Sequence, residues 1–273
     1  MRTIDDLLTH VRSHRCFSHP VFEHWAEVNP RPEVVGALFH QIQKFCASTR
    51  PGGEFPAALE KLGLDSESRL MHEIVESEED HGPELATMAG YIVNRASGES
   101  TCPDLANQDA VEAVLKNYSD QLLGSLPGYD RESGLTVQAR RAIEVFERRF
   151  DPSRETTFKN LGTALALEII SNRHLIPGEK HCLIDSGIYQ SSIDDTEMHY
   201  LLEHWGEAGA EQQHERNAVE AVASVIDEET EPLVVQGMND FLDSLTALWD
   251  VLDSALLQSG HKSETRETVS AGA

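Results

Sequence analysis

Two clusters of glutamate and histidine in this chain have the spacing that a metal ion asks of an α-helix. Glu78 and His81 stand three residues apart, about 60° around a helix, so both side chains reach one ion. They share a face with Leu70, Ile74, Val75, Leu85, Met88 and Ile92, which places them on an apolar stripe. Glu76, Glu79 and Asp80 point elsewhere and read as a solvated acidic face. Further on, His204, Glu207, Glu211 and His214 fall within an arc of about 80° on a regular helix. Leu201, Ala208, Ala218, Val222 and Val225 continue that side. Between the clusters lies a third signal, Glu168. It is the single charge in the apolar run from Leu161 to Ile170. A carboxylate in such a run is costly to bury unless a partner or a cation meets it.

This inventory is carboxylate and imidazole, with no thiolate. By ligand type it favours iron or manganese over zinc or copper. Glu-x-x-His pairs on separate helices with further carboxylates are the logic of dinuclear carboxylate sites in helical bundles, and iron in such a site reduces O2. The competing reading is a pair of amphipathic helices with polar seams, and for Glu168 a core ion pair with Arg173 or His174.

The elements that must position these residues read as helices throughout. Helical periodicity predicts Ile4 to Arg15, Pro32 to Thr49, Ser66 to Ala96, Gln108 to Leu123, Thr136 to Arg149, Glu155 to His174, Asp195 to Val225 and Glu228 to Gln258. Pro32 suits a first helical turn, Pro177-Gly178 is expected to end the helix carrying Glu168, and Asp194-Asp195 to cap the next. Strand and hairpin signals are nearly absent. The expectation is an all-α fold, one helical domain over residues 1–258, with a polar, disordered tail over 259–273.

Composition narrows the function classes. The chain has 273 residues and a net charge of −25, from 22 basic against 47 acidic residues. Such a surface repels phosphate backbones and anionic lipid, so nucleic-acid and membrane partners are not expected. No apolar stretch reaches the length of a transmembrane helix. The N-terminus MRTIDDLLTHVRSH carries acids and histidines where a secretory signal has an apolar run, so a cytoplasmic location is expected. Cys16, Cys46, Cys102 and Cys182 form no C-x-x-C pair and suggest isolated thiols.

With these motifs the chain resembles the haem-oxygenase-like diiron oxidases, which share a helical fold with haem oxygenase, thiaminase-type proteins and pyrroloquinoline quinone synthase. It is most similar to their 1-alkene-forming, fatty-acid-decarboxylating branch. The Glu-x-x-His around Glu78 and His81, the lone Glu168 in ALALEIISN, and Glu211-x2-His214 carry the resemblance, which spans roughly residues 32–225. The family's last motif is His-x3-Asp-x2-His. Here Glu211 stands for the Asp, and counting back puts Glu207 where the family has histidine. Counting forward from Met198-His199-Tyr200 puts His204 there instead. Both stay open, with His204 preferred because imidazole is the family's ligand type.

The resemblance implies a haem-oxygenase-like bundle holding two Fe(II) per chain on Glu78, His81, Glu168, His204 (or Glu207), Glu211 and His214, with O2 as co-substrate. It implies N-oxygenation, oxidative C–C cleavage or desaturation of a small amino-acid-like or fatty-acid-like metabolite. An external electron donor and a homodimer are compatible with it. Arg173 and Lys180 are the basic residues available to hold a substrate carboxylate, with surface salt bridges as their plainer role. The alternatives are a metal-free hydrolase or oxidase of the same fold acting through a Glu or Cys, a ferritin-like diiron protein, and a helical domain without enzymatic activity.

Overall fold

A computed structural model describes residues 2–50, 52–78, 81–206 and 209–270, with His81 and 260–270 described for their backbone alone. The helices are α1 (Ile4–Ser13), α2 (Val21–Val28), α3 (Pro32–Thr49), α4 (Glu54–Lys61), α5 (Asp65–Ser77), α6 (His81–Ser97) and α7 (Gln108–Leu122). They continue with α8 (Val137–Glu147), α9 (Arg154–Ile170), α10 (Ile176–Lys180), α11 (His199–His204), α12 (Ala210–Val225) and α13 (Glu231–Ser270). Among the described residues there is no strand, and the one β-bridge pairs Asp130 with Leu135. The fold is all-α, a single bundle around one apolar core. No helix among the described residues is long and apolar enough to cross a membrane. The backbone of α13 continues as helix through 259–270, the stretch read from sequence as a disordered tail.

Local chemistry accounts for the helix starts. Thr3 and Asp6 form a reciprocal capping box on α1. Asn107, Thr136 and Ser153 each accept a hydrogen bond from a first-turn amide of α7, α8 and α9. Pro32 occupies the first turn of α3.

Three long helices predicted from periodicity are interrupted. The expected 66–96 helix ends at Ser77 and restarts at His81, with Glu78 as its C-cap. The expected 195–225 helix breaks after His204: Trp205 is extended, and Gly206 takes φ +87°, a conformation that glycine adopts without strain. Asp195 does not cap a long helix; its carboxylate accepts from the Ser192 amide and the Tyr91 hydroxyl. The helix carrying Glu168 does not end at Pro177-Gly178. It passes through a π-helical turn at Ser171–Leu175, takes Pro177 into the first turn of α10, and passes a second π turn at His181–Asp185. Proline has no amide proton for the carbonyl four residues back, and a wider turn before it absorbs that mismatch. The short helices α2 and α4 escaped the periodicity because each offers only about two turns to it.

The core is organised on α9 and α13, the most extensively packed pair. Two glycines let their backbones touch: a Cβ on Gly162 would strike the Val234 carbonyl, and one on Gly237 the Lys159 carbonyl. The Thr163 hydroxyl donates to the Gly237 carbonyl across the same contact at 3.1 Å. Helix α12 then packs on α9 and α5, and α2 lies against α13. The N-terminal helices are fastened to α13 by side-chain pairs: His10 to Asn239, His14 to Asp243, His19 to Asp250 and His24 to Asp253.

The glycine contact predicts that Gly237→Ala costs about 1–3 kcal/mol of stability, because the added methyl meets backbone and not a flexible side-chain end. Urea unfolding of the variant beside the parent chain checks this, and an unchanged midpoint would contradict the close approach.

Candidate metal centre

Each interrupted helix delivers its acid or imidazole at a terminus. Glu78 caps the C-terminus of α5, His204 is the last residue of α11, and Glu211 lies in the first turn of α12 with His214 one turn on. Glu168 sits in the last turn of α9. Glu168, His204, Glu211 and His214 are all buried, and Glu78 is half-buried. The N-terminus of α12 favours a carboxylate such as Glu211 through its unpaired amides and dipole.

These five side chains form two groups of three that could hold a metal ion. Donor atoms of Glu78, His204 and Glu211 lie within 4.8 Å of one another, as do those of Glu168, Glu211 and His214. Glu211 belongs to both. A third group, Glu84, His199 and Glu203, is partly exposed and lies on α6 and α11.

Hydrogen bonds fix how both imidazoles point. The His204 Nδ1 meets the Tyr200 carbonyl at 2.6 Å and so donates to it. Its Nε2 then faces Glu78 at 3.8 Å and Glu211 at 3.7 Å. The Ser77 hydroxyl donates to the Ile74 carbonyl at 2.9 Å, which leaves its oxygen to accept from the His214 Nε2 at 2.6 Å. The His214 Nδ1 then faces Glu78 at 3.6 Å and Glu168 at 3.7 Å. Spans of 3.6–3.8 Å are too long for hydrogen bonds. Anchoring one ring nitrogen while the other faces carboxylates is the arrangement of a metal-ligating histidine. The Glu211 Oε2 is buried with no hydrogen-bond partner, an orphaned acceptor of the kind a cation satisfies. The donor set therefore fits a metal of the iron or manganese type.

The titration behaviour follows from the same crowding. Burial, then the charges of Glu211 and Glu78, hold the Glu168 carboxyl well above the ordinary range. Burial raises Glu211 to about 8, with Glu78 and Glu179 adding and His204 opposing. Burial alone would lower His204, but the facing Glu78 and Glu211 carboxylates outweigh it and raise the imidazole to about 9.

The remaining sequence candidates lie elsewhere. Arg173 makes a two-point bridge to Glu215, at 2.9 and 2.7 Å, reinforced by Asn172. Lys180 pairs with Asp185 at 2.6 Å and lies 4.9 Å over the Trp205 ring. Neither lines the cavity beside the centre, and both make the salt bridges that were their plainer expected role. The side chain of His81, and Glu207, lie outside the described residues.

The wall of that cavity carries Glu78, Glu168, His204 and Glu211. Aromatic and aliphatic residues, among them Phe22, Trp25, Phe45, Tyr200 and Trp249, make up most of the remainder. A second cavity shares Thr49, Ile74, Leu167 and Glu168 with the first. Sequence reasoning missed two members of the site. Ser77, which orients His214, carries no signal that distinguishes it from any helical serine. Glu179 did leave one: Leu175, Ile176, Cys182 and Leu183 flank it at −4, −3, +3 and +4, an apolar stripe visible once the helix is read through Pro177-Gly178. It is buried in the same cavity, and burial raises its carboxyl to about 7, against the opposing charge of His204.

Comparison with family models, with curated proteins and with solved structures gives no match for this chain. The reading of the site accordingly rests on its own residues.

For Glu168, Glu211 and His204, folding moves the pKa upward. The folded chain then holds protons that the unfolded chain releases, so the stability they carry is full below the ordinary values of 4.5 for Glu and 6.5 for His. It is lost as pH rises through about 8 for Glu211 and about 9 for His204. The melting temperature of the metal-free chain should therefore fall steadily from about pH 5 to about pH 9. Binding of Fe(II) or Mn(II) near neutral pH should release protons to the buffer, because the same groups must be stripped to act as ligands. Calorimetry across pH, and titration in weakly buffered solution, measure both; a flat melting profile would contradict the assignment of the shifts.

Proposed function

We propose that this chain is a non-haem diiron oxidoreductase, using O2 to oxidise or oxygenate a small metabolite held in the cavity that Glu78, Glu168, His204 and Glu211 line. The observation that carries the reading is the sharing of Glu211 between two three-residue groups of carboxylate and imidazole. Glu78 and His204 would hold one iron, Glu168 and His214 the other, and Glu211 both. His81, proposed from its Glu-x-x-His spacing, would add a ligand. Such a set, with the resemblance to haem-oxygenase-like diiron oxidases in its motifs, supports iron over a purely structural role. When bound, the iron would supply the reduction of O2 and the oxidising equivalents for the substrate.

The chain's own residues supply the rest. The Tyr200 carbonyl and Ser77 hydroxyl hold the two imidazoles in the orientation that ligation needs. Phe22, Trp25, Phe45 and Trp249 exclude water from the cavity and orient an apolar substrate against the carboxylates.

The cofactor-free alternative would place a nucleophile in the same cavity, where Cys46 lies. Burial raises that thiol above its ordinary range, with Glu179 and Glu78 adding, and so suppresses the thiolate the reaction requires. A ferritin-like arrangement needs an early-helix carboxylate, and Glu23, Glu27 and Glu33 belong to neither group of three.

Anaerobic titration with Fe(II) tests the reading. The parent chain should bind about two irons, the stoichiometry of dinuclear carboxylate sites in bundles, and then consume O2 on exposure to air. Glu168→Ala should lose at least one iron, and with it O2 consumption, while remaining folded by circular dichroism. A parent chain that binds no iron would sink the proposal.

A further inference from the structure

One acid in the cavity is left over by the metal centre. Glu179 lines the cavity but belongs to neither group of three that shares Glu211. The residue is 8% exposed, and its carboxyl makes no hydrogen bond or ion pair with a described residue, though the charge of His204 acts on it. Its Oε2 is buried without a partner. Leaving a carboxyl group unsatisfied in an apolar interior is costly, so its position against open volume calls for a partner that arrives with the ligand.

The backbone holds it there. Glu179 lies in α10, between the π turns at Ser171–Leu175 and His181–Asp185. The preceding residue, Gly178, lies so close to α2 that a Cβ would strike the Phe22 ring. The carboxyl is thereby fixed to the wall that also carries Phe22, Trp25 and Trp249. A buried acceptor in a cavity whose wall also carries aromatic rings is complementary to one head group above others, a protonated amine. Its N–H bonds donate to the carboxyl oxygen, and its charge is attracted to the ring faces. The apolar side chains around it, among them Leu248 and Leu252, suit a hydrocarbon portion. A carboxylate head would meet repulsion from Glu179 and would have to seek Arg50, which also lines the cavity.

We propose that Glu179 is a substrate-positioning residue that binds the protonated amine of a substrate with an apolar chain, and so sets the substrate class of the centre as an aliphatic amine. The inference rests on reading the cavity as the substrate site of the proposed metal centre.

Three ligands with one tail and different heads test it: n-octylamine, n-octanol and n-octanoate. Trp25 and Trp249 line the cavity, so their emission reports binding both to the metal-free chain and to the chain loaded anaerobically with Fe(II). Octylamine should bind about ten-fold or more tighter than either competitor, the scale of a charge-assisted hydrogen bond in a buried site. Glu179→Gln should bring octylamine down to the level of octanol, while octanol affinity stays within about two-fold. Glu168→Gln, examined metal-free, should keep the amine preference. Equal binding of the three heads by the parent chain, or a preference for octanoate, overturns the proposal, as does an amine preference that survives Glu179→Gln. Preference lost in Glu168→Gln but kept in Glu179→Gln also overturns it, by assigning the amine to the metal-ligating carboxylates. Glu179→Met serves in place of the glutamine variant if that variant is not folded by circular dichroism. Failure of the metal reading has a different signature: no iron bound by the parent chain, with the Glu179-dependent amine preference intact.

Discussion

Four carboxyl groups share one cavity with the His204 imidazole, and keeping negative charge out of water there is the constraint on which the architecture turns. Coulomb repulsion between such groups grows as water is excluded, and a carboxylate deprived of solvent needs a proton or a cation. The upward pKa displacement of Glu168, Glu211 and His204 is the first remedy, with protons carried by the site itself. Metal ions are the second. The two remedies compete for the same atoms, which links metal affinity, stability and pH in one set of residues.

The helices are shaped around that constraint. Glu78, His204 and Glu211 stand at or beside helix ends, and Glu179 sits in a short helix bounded by π turns. A residue in mid-helix is confined to the direction its turn dictates. At a terminus the flanking chain can bend away, so side chains from four different helices converge without distorting any of them. Glycine at 206 makes the sharpest of these bends feasible. The counterpart is the α9–α13 contact, where Gly162 and Gly237 allow backbone to lie on backbone and give the other helices a fixed reference.

This division explains what the sequence disclosed. Glu168 was legible because a single charge interrupts ten residues of otherwise apolar helix, and burial is the direct consequence. Glu78, Glu211 and His214 were legible from their places on apolar stripes. The all-α class followed from periodicity alone. The helix ends at Ser77 and His204 were not legible, because the periodic pattern continues past them and a regular helix would also align the ligands. His204 and Glu211 come together from separate helices, α11 and α12, and not from a shared face, which periodicity has no means to express. Glu179 was obscured by the Pro-Gly pair before it, whose usual meaning as a helix stop was overridden by π turns that carry the chain past it.

The side-chain pairs between the N-terminal helices and α13 have a consequence for how the molecule is made. His10, His14 and His24 each meet a partner 229 residues later in the chain. Contacts of such sequence separation carry a large loop-closure entropy and slow the search for the native state. On the ribosome, at roughly 5–20 residues per second, the first helices wait many seconds for α13 to emerge. Phe22 and Trp25, which wall the cavity, travel with them. During biosynthesis the chamber is therefore a half-built trough open on one side, and the interval before its N-terminal wall arrives is the period in which its apolar lining is exposed to chaperones and to other nascent chains.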